Sequence, residues 1–135
     1  MEIKKVSIDT SAIFSLINNK DEHHLRAKEF YYTLKKDKSK VFTTNYITDE
    51  TYTLLSRRIN KSTALEFIEA MSKTFTIIYI NKEDDLGAIE ILKKFEDKGF
   101  SFTDAVSFYI MEKEKIKIAF AFDKHFIQAG LKTLP

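Results

Sequence analysis

The chain has 135 residues, of which 44% are hydrophobic, and this size and composition fit one domain, residues 1–135, with a single core. Its 22 Lys and Arg against 20 Asp and Glu give a formal net charge of +2, unlike the strongly basic profile of nucleic-acid coat proteins. Zero cysteines exclude disulfides, thiolate metal sites and cysteine nucleophiles, which leaves carboxylates and three histidines as the available ligands.

The sequence carries no sign of a membrane segment or an export signal. No run approaches the roughly 18 apolar residues of a membrane span. The start, MEIKKVSIDT, has an acid and two lysines where a signal peptide needs a long apolar stretch. We therefore expect a cytoplasmic protein with no membrane partner.

The predicted elements alternate short β-rich runs with longer helical patterns. Four runs rich in β-branched and aromatic residues predict strands at residues 3–8, 40–44, 74–80 and 115–122. The segments between them have helical character, and several begin with Ser, Thr, Asn or Asp as helices do: residues 11–18, 21–36, 45–60, 62–73, 82–98 and 103–114. Strands joined through helices are parallel neighbours, so the fold class is α/β with helices on both faces of a mostly parallel sheet.

Two acids directly follow predicted strands. Asp9 comes after the apolar VSI, and Asp123 comes after IAFAF. Because ligands in parallel sheets bind outside the carboxyl ends of the strands, both acids are candidate site residues. The alternative for each is a helix cap or a turn residue.

Glu50 lies on the apolar face of its predicted helix. At about 100° per residue, Glu50 falls in one stripe with Tyr46 and Leu54, whereas Asp49 points away from that stripe. A glutamate on an apolar face is seldom buried without a partner. The alternatives are a salt bridge to the arginines at the end of the same helix and a position at the rim of the core.

Asp104 lies in the first turn of its predicted helix. The apolar residues of this helix lie around almost its whole circumference, which predicts that the helix is deeply buried. An acid in the first turn also interacts favourably with the helix macrodipole, by about 0.3–1 kcal/mol, and Thr103 or Ser101 is available as the cap. Asp104 is therefore either a helix-end residue or a buried charge that holds a ligand.

Parallel topology can bring these acids to one end of the sheet. Clustered carboxylates with restricted hydration raise one another's pKa values, so their proximity is unfavourable unless a cation lies among them. Oxygen ligands without cysteine suit Mg²⁺ or Mn²⁺. The predicted metal ligands share these properties and are Asp9, Glu50, Asp104 and Asp123.

The acids lie in four segments that come in the order of a known family, and these segments are VSIDTSAIFSLIN, TTNYITDETYTLL, FSFTDAVSFYIM and AFAFDKHFIQAG. On these segments the chain resembles the PIN-domain ribonucleases, in particular the VapC-type toxins of toxin-antitoxin pairs. The resemblance covers almost the whole chain. It implies a three-layer α/β/α fold with a central sheet of four or five strands, a Mg²⁺ or Mn²⁺ cofactor, and hydrolysis of RNA that leaves a 5′-phosphate and a 3′-hydroxyl.

The resemblance also implies roles for individual residues. Asp9, Glu50 and Asp104 would be the principal catalytic acids around the metal, and Asp123 would complete the site. The chain departs from the family at Ala121, where members often have a hydroxyl residue, which removes one supporting hydrogen bond.

Residues beside the acids have supporting functions in this interpretation. Thr10 and Thr103 would orient carboxylates or waters by hydrogen bonds. Arg57, Arg58 and Lys61 follow Glu50 and are the first candidates to hold the RNA backbone. The family resemblance further implies a small antitoxin partner and a homodimer.

Other readings of the sequence are weaker. His23, His24 and His125 provide no tetrahedral zinc set, and the three glycines build no phosphate-binding loop. An aspartyl-phosphate phosphatase would carry a second acid two places after Asp9, where this chain has Ser11. The alternative that stays open is a non-catalytic domain of the same fold that binds RNA or a protein.

Overall fold

The computed structural model describes residues 3–135 and contains a five-stranded sheet between two layers of helices. The strands are β1 (Lys5–Ile8), β2 (Lys40–Thr44), β3 (Thr76–Ile78), β4 (Ile118–Phe120) and β5 (Lys132–Leu134). The helices are α1 (Thr10–Ile17), α2 (His24–Lys36), α3 (Asn45–Arg58), α4 (Lys61–Thr74), α5 (Lys82–Lys94), α6 (Phe102–Lys113) and α7 (His125–Gln128).

The strand order is β3-β2-β1-β4-β5, and every neighbouring pair is parallel. The carboxyl ends of all strands therefore lie along one edge of the sheet, called here the carboxyl edge. Helix α1 begins two residues after β1 ends, and α3 begins directly after β2. These short connections place the first turns of both helices at the carboxyl edge.

Alternating side chains of the strands fill two cores, one on each face of the sheet. Phe120 of β4 packs with α1, α2 and α4, in a cluster that includes Leu34 and Met71. Ala119, its neighbour along the strand, packs with α6 and α7 in a cluster that includes Phe108. The three-layer α/β/α fold is therefore confirmed.

The structure differs from the predicted elements mainly at their ends. The first, third and fourth strands are shorter than predicted. Helix α2 begins at His24 and not at residue 21, because Asp21 accepts hydrogen bonds from the Ser15 hydroxyl (2.7 Å) and the His23 N–H (3.0 Å). Strand β5 and helix α7 were not predicted, because they have three and four residues and neither lies within a longer β-rich or helical run of the sequence. Within residues 3–135, no helix has the length and hydropathy that crossing a membrane requires.

Helix α6, which carries Asp104, is held by a close approach to α5 at Gly87. A Cβ atom added at Gly87 would lie 2.1 Å from Cε1 of Tyr109 on α6. Gly87→Ala should therefore lower stability by roughly 1–3 kcal/mol through overpacking, despite the gain of about 1 kcal/mol in helix propensity. Thermal unfolding would measure this difference.

Gly99→Ala is the matched control, because a Cβ atom at that position has no atom within 4 Å. Its melting temperature should stay close to that of the wild type. A Gly87→Ala protein as stable as the Gly99→Ala protein would contradict the close packing of α5 on α6.

Candidate active site

Four acids from different elements converge at the carboxyl edge and are called here the acid cluster: Asp9, Glu50, Asp104 and Asp123. The charge of Glu50 raises the pKa of Asp9, and the charges of Asp104 and Asp123 raise the pKa of Glu50. These electrostatic effects require the carboxylates to be close, although their residues are far apart in the chain. The backbone supports this arrangement, because the Asp9 N–H donates to the Phe120 carbonyl of β4 at 3.1 Å.

Asp9 is only 5% exposed and is the N-cap of α1. Burial and, second, the charge of Glu50 raise its pKa to about 7, although hydrogen bonds from Ser11 act in the opposite direction. The Ser11 hydroxyl donates to Oδ2 of Asp9 at 3.0 Å, and the Ser11 N–H donates to the same oxygen at 3.4 Å. Near neutral pH the Asp9 carboxylate is therefore an unfavourable charge in the metal-free protein.

Glu50 is half-buried on α3, whereas Asp49 beside it is exposed, as the helix geometry predicts. Burial is the largest cause of the raised pKa of Glu50. A hydrogen bond from the Thr10 hydroxyl counteracts this rise, and the charges of Asp104 and Asp123 add to it. Glu50 is therefore placed to bind a cation or to accept a proton.

Asp104 is 6% exposed and takes part in the start of α6. Its Oδ2 accepts the Ser101 N–H at 3.0 Å, and its own N–H donates to the Ser101 hydroxyl at 3.0 Å. This reciprocal arrangement is a capping box. The helix-end role of Asp104 is therefore present, with Ser101 as the cap and not Thr103, and it coexists with a place in the acid cluster.

His125 is a member of the site that the sequence analysis considered only as a zinc ligand. Its Nδ1 lies 2.7 Å from Oδ2 of Asp104 and 3.5 Å from Oδ1 of Asp123, and its N–H donates to Oδ1 of Asp123 at 2.9 Å. The contact between Nδ1 and Oδ2 orients the Asp104 carboxylate, and Nδ1 donates in it when that nitrogen carries the proton. His125 follows Asp123 by only two residues, so the sequence could have indicated their contact. The contact with Asp104 depends on the tertiary fold and has no such signal in the sequence.

Ser11 is the second site residue that the sequence analysis missed in this role. Besides donating to Asp9, its hydroxyl accepts the Phe122 N–H at 3.0 Å. It thus joins the turn after β1 to the segment after β4. Ala121, where the family often has a hydroxyl, is 3% exposed and packs in the core.

The other predicted supporting residues occupy different positions. Thr10 is buried beside Glu50, while the half-buried Thr103 side chain has no hydrogen-bond partner among residues 3–135.

The predicted RNA-binding cations lie on the surface. Arg57 and Arg58, at the end of α3, are exposed, and the guanidinium of Arg58 lies 5.4 Å from the Phe14 ring centroid. Arg57 lies about 10 Å from Glu50 along the helix axis. Lys61 is exposed at the start of α4. Roles in RNA binding remain a prediction for these cations.

The aspartates of the cluster each use one oxygen for contacts within the protein. Oδ2 of Asp9 and Oδ2 of Asp104 each accept two hydrogen bonds, and Oδ1 of Asp123 accepts the His125 N–H. Asp104, Asp123 and His125 also offer ligand atoms that all lie within 4.8 Å of one another. The donors are mainly carboxylate oxygens and the cluster needs positive charge, so these residues fit a hard divalent cation.

Comparison with known proteins identifies the family of the chain. The PIN domain family model matches residues 6–132. A VapC ribonuclease of Archaeoglobus fulgidus is 36% identical over 123 residues, which cover 88% of this chain and 77% of that protein. The 23S rRNA-specific endonuclease VapC20 of Mycobacterium tuberculosis is 32% identical over 126 residues, or 93% of this chain and 94% of that protein.

Solved structures show the same fold. The crystal structure of Mycobacterium tuberculosis VapC20, described as a sarcin-ricin loop cleaving toxin, has a TM-score of 0.81 at 32% identity and covers 93% of this chain and 95% of that one. DNA-bound VapBC from Salmonella typhimurium has a TM-score of 0.71 at 12% identity, over 97% and 96% of the two chains, which shows likeness of fold alone. Because its fold, its family match and its relatives agree, the chain belongs to the PIN domain family, as a VapC-type member.

Proposed function

We propose that the protein is a Mg²⁺- or Mn²⁺-dependent endoribonuclease and the toxin of a toxin-antitoxin pair. The observation that carries this proposal is the convergence of four acids, two of which have raised pKa values because burial and their neighbours' charges oppose ionisation. A fold does not require such a cluster, since it lowers the stability of the metal-free protein. The names of the relatives, a ribonuclease and an endonuclease, point to the same reaction.

In this proposal Asp9, Glu50 and Asp104 hold the cation, and Asp123 completes the site. The bound cation would stabilise the negative charge that develops on the scissile phosphate and lower the pKa of the attacking water. The products would carry a 5′-phosphate and a 3′-hydroxyl.

The remaining side chains would keep the carboxylates in place. Ser11 fixes one oxygen of Asp9, Thr10 donates to Glu50, and His125 holds Asp104 and Asp123. Such hydrogen bonds orient metal-binding carboxylates and are typically worth 10- to 100-fold in metal affinity or activity. Thr103 would join this group only if bound water links it to the cluster.

We infer that the substrate is a structured RNA with an exposed loop. The relatives from Mycobacterium tuberculosis are named as specific for 23S rRNA and as cleaving the sarcin-ricin loop. A hairpin that carries this loop is therefore the first RNA to test, beside a hairpin of scrambled sequence. The competing function is a non-catalytic PIN domain that binds RNA or protein, and it predicts binding without cleavage.

Cleavage of the hairpin should require the cation and the acid cluster. Asp9→Asn and Asp104→Asn should each lower the cleavage rate on the order of 100-fold or more, and a chelator should abolish cleavage. Asp49→Asn is the matched control, because it removes an exposed acid adjacent to Glu50 on the same helix. Gel analysis of labelled RNA would measure the rates. Cleavage that persists in chelator and in both cluster variants would overturn the metal-nuclease proposal.

The raised pKa of Asp9 makes stability depend on pH and metal. In the unfolded chain its pKa is near 3.8, so the folded state binds the proton more tightly and loses stability as pH rises from about 4 to 7. Without metal, Asp9→Asn should be more stable than the wild type at pH 8, by at most about 4 kcal/mol. The difference in stability between Asp9→Asn and the wild type should become smaller as the pH is lowered toward 5.

Added Mn²⁺ should stabilise the wild type more than Asp9→Asn, because the cation binds the folded state of the intact cluster. Melting curves by circular dichroism at pH 5 and pH 8, with Mn²⁺ and with chelator, would measure these differences. A less stable Asp9→Asn protein at pH 8 in chelator would show that the Asp9 charge is already compensated within the protein.

We further infer a small antitoxin partner and a homodimer. Solved structures of the same fold include VapBC complexes. Large apolar side chains are exposed and available for contacts between chains, among them Leu25 and Tyr79, which are 73% and 71% exposed. The aromatic segment EFYYTL, residues 29–34, is a further candidate contact surface, but only part of it can meet a partner, because Tyr32 is 71% exposed whereas Leu34 is buried.

Light scattering of the purified protein should give twice the mass of one chain. Coexpression with a candidate antitoxin protein should yield a stable complex in which hairpin cleavage is inhibited. A monomer at micromolar concentration would contradict the homodimer. An enzyme that stays active in the presence of the candidate protein would contradict the role of that protein as the antitoxin.

A further inference from the structure

Two side chains that can donate N–H hydrogen bonds lie at the carboxyl edge, at the start of the α2 region and beside the acid cluster. They are His23, the residue before α2, and Arg26 in its first turn. Both contact Phe122, the residue that precedes Asp123. This places them nearer to the cluster in the fold than their position in the sequence suggests.

His23 is fixed by stacking on Phe122. The two rings are 4.3 Å apart and nearly parallel, with an interplanar angle of 3°. The Phe122 backbone is itself held, because its N–H donates to the Ser11 hydroxyl that also donates to Asp9. The imidazole therefore has a defined position relative to the acids, and its Nε2 lies 3.3 Å from Oε1 of the exposed Glu22, with which a phosphate would compete.

Arg26 is held over the same ring and keeps its charge available. Its guanidinium carbon lies 5.8 Å from the Phe122 centroid, and Nη2 donates to the Pro135 carbonyl at 3.1 Å. Arginine has five N–H donors, so most of them remain for other acceptors. Among residues 3–135 no Asp or Glu carboxylate lies within 4.0 Å of this exposed guanidinium.

We propose that Arg26 and His23, supported by Phe122, bind phosphates of the RNA strand next to the scissile bond. The proposal rests on the ribonuclease function proposed above. An RNA strand that approaches the acid cluster meets like charge, so it needs cations close to the point of cleavage. A pre-positioned guanidinium suits this purpose because its planar donors match two phosphate oxygens.

The proposal distinguishes Arg26 from the cations predicted at the end of α3. Arg57 is about 10 Å from Glu50 along the helix axis, so it would contact a more distant part of the strand. Arg26 instead contacts the ring next to Asp123. Loss of Arg26 should therefore weaken binding of short RNA that reaches only the cleavage point, as well as binding of long RNA.

The test measures binding of a fluorescein-labelled sarcin-ricin loop hairpin in Mg²⁺, with Asp104→Asn as a non-cleaving background. Adding Arg26→Gln should weaken binding about five- to tenfold at low salt, and the slope of log Kd against log salt concentration should fall by about 0.7–1. Arg26→Lys should retain most of this slope, because it keeps the charge. His23→Ala should weaken binding by a smaller factor.

Lys36→Gln is the matched control, because it removes an exposed charge from the last turn of the same helix, at the opposite edge of the sheet. In the catalytically active protein, Arg26→Gln should raise KM and change kcat less than about twofold, while Lys36→Gln should change neither. Melting temperatures of all variants should agree within a few degrees, which separates binding from folding.

The outcomes separate this inference from the proposed function. If the wild type cleaves the hairpin and Arg26→Gln binds it like Lys36→Gln, the phosphate-binding role is overturned and the ribonuclease function stands. An unchanged salt slope together with a lowered melting temperature would assign Arg26 a structural role and would also overturn the inference. If the wild type neither binds nor cleaves RNA, both proposals fail.

Discussion

Crowding of negative charge at the carboxyl edge is the constraint on which the rest of this structure depends. An all-parallel sheet directs the carboxyl end of every strand to the same side, so Asp9 after β1 and Asp123 after β4 meet there. Helices α3 and α6 add Glu50 and Asp104 from their first two turns. The fold has to hold these acids together in the absence of a cation, and it does so by hydrogen bonds to individual carboxylate oxygens.

Those hydrogen bonds connect segments that are distant in the chain. The Ser11 hydroxyl links the turn after β1 to Phe122, across 111 positions of sequence, and His125 links Asp104 to Asp123. Behind the site, the apolar cores on the two faces of the sheet fix the helices that carry the acids. Site geometry and core packing are therefore coupled, because a shift of α6 would move Asp104 and its contact with His125 together.

The parts of this arrangement that the sequence predicted are those with a local or periodic signal. Helix phase distinguished Glu50 from Asp49, and position after a strand selected Asp9 and Asp123. Strand β5 was not predicted because, unlike the equally short β3 and β4, it does not lie within a longer β-rich run, and its pairing with β4 is a property of the folded sheet. The contact between His125 and Asp104 was also beyond prediction, since it depends on how α6 and α7 pack.

In each aspartate of the cluster one carboxylate oxygen accepts hydrogen bonds within the protein and the other is left for a ligand, and this difference bears on which ion the proposed site would favour. Asp9, Asp104 and Asp123 each have one oxygen engaged within the protein, so each can present a single free oxygen. Calcium usually takes six to eight ligands and often a chelating carboxylate, whereas magnesium accepts single oxygens and retains much of its hydration shell. In the proposed metal site, monodentate presentation would favour an ion that accepts single oxygens, and it would leave coordination positions free for the oxygens of a nucleic acid.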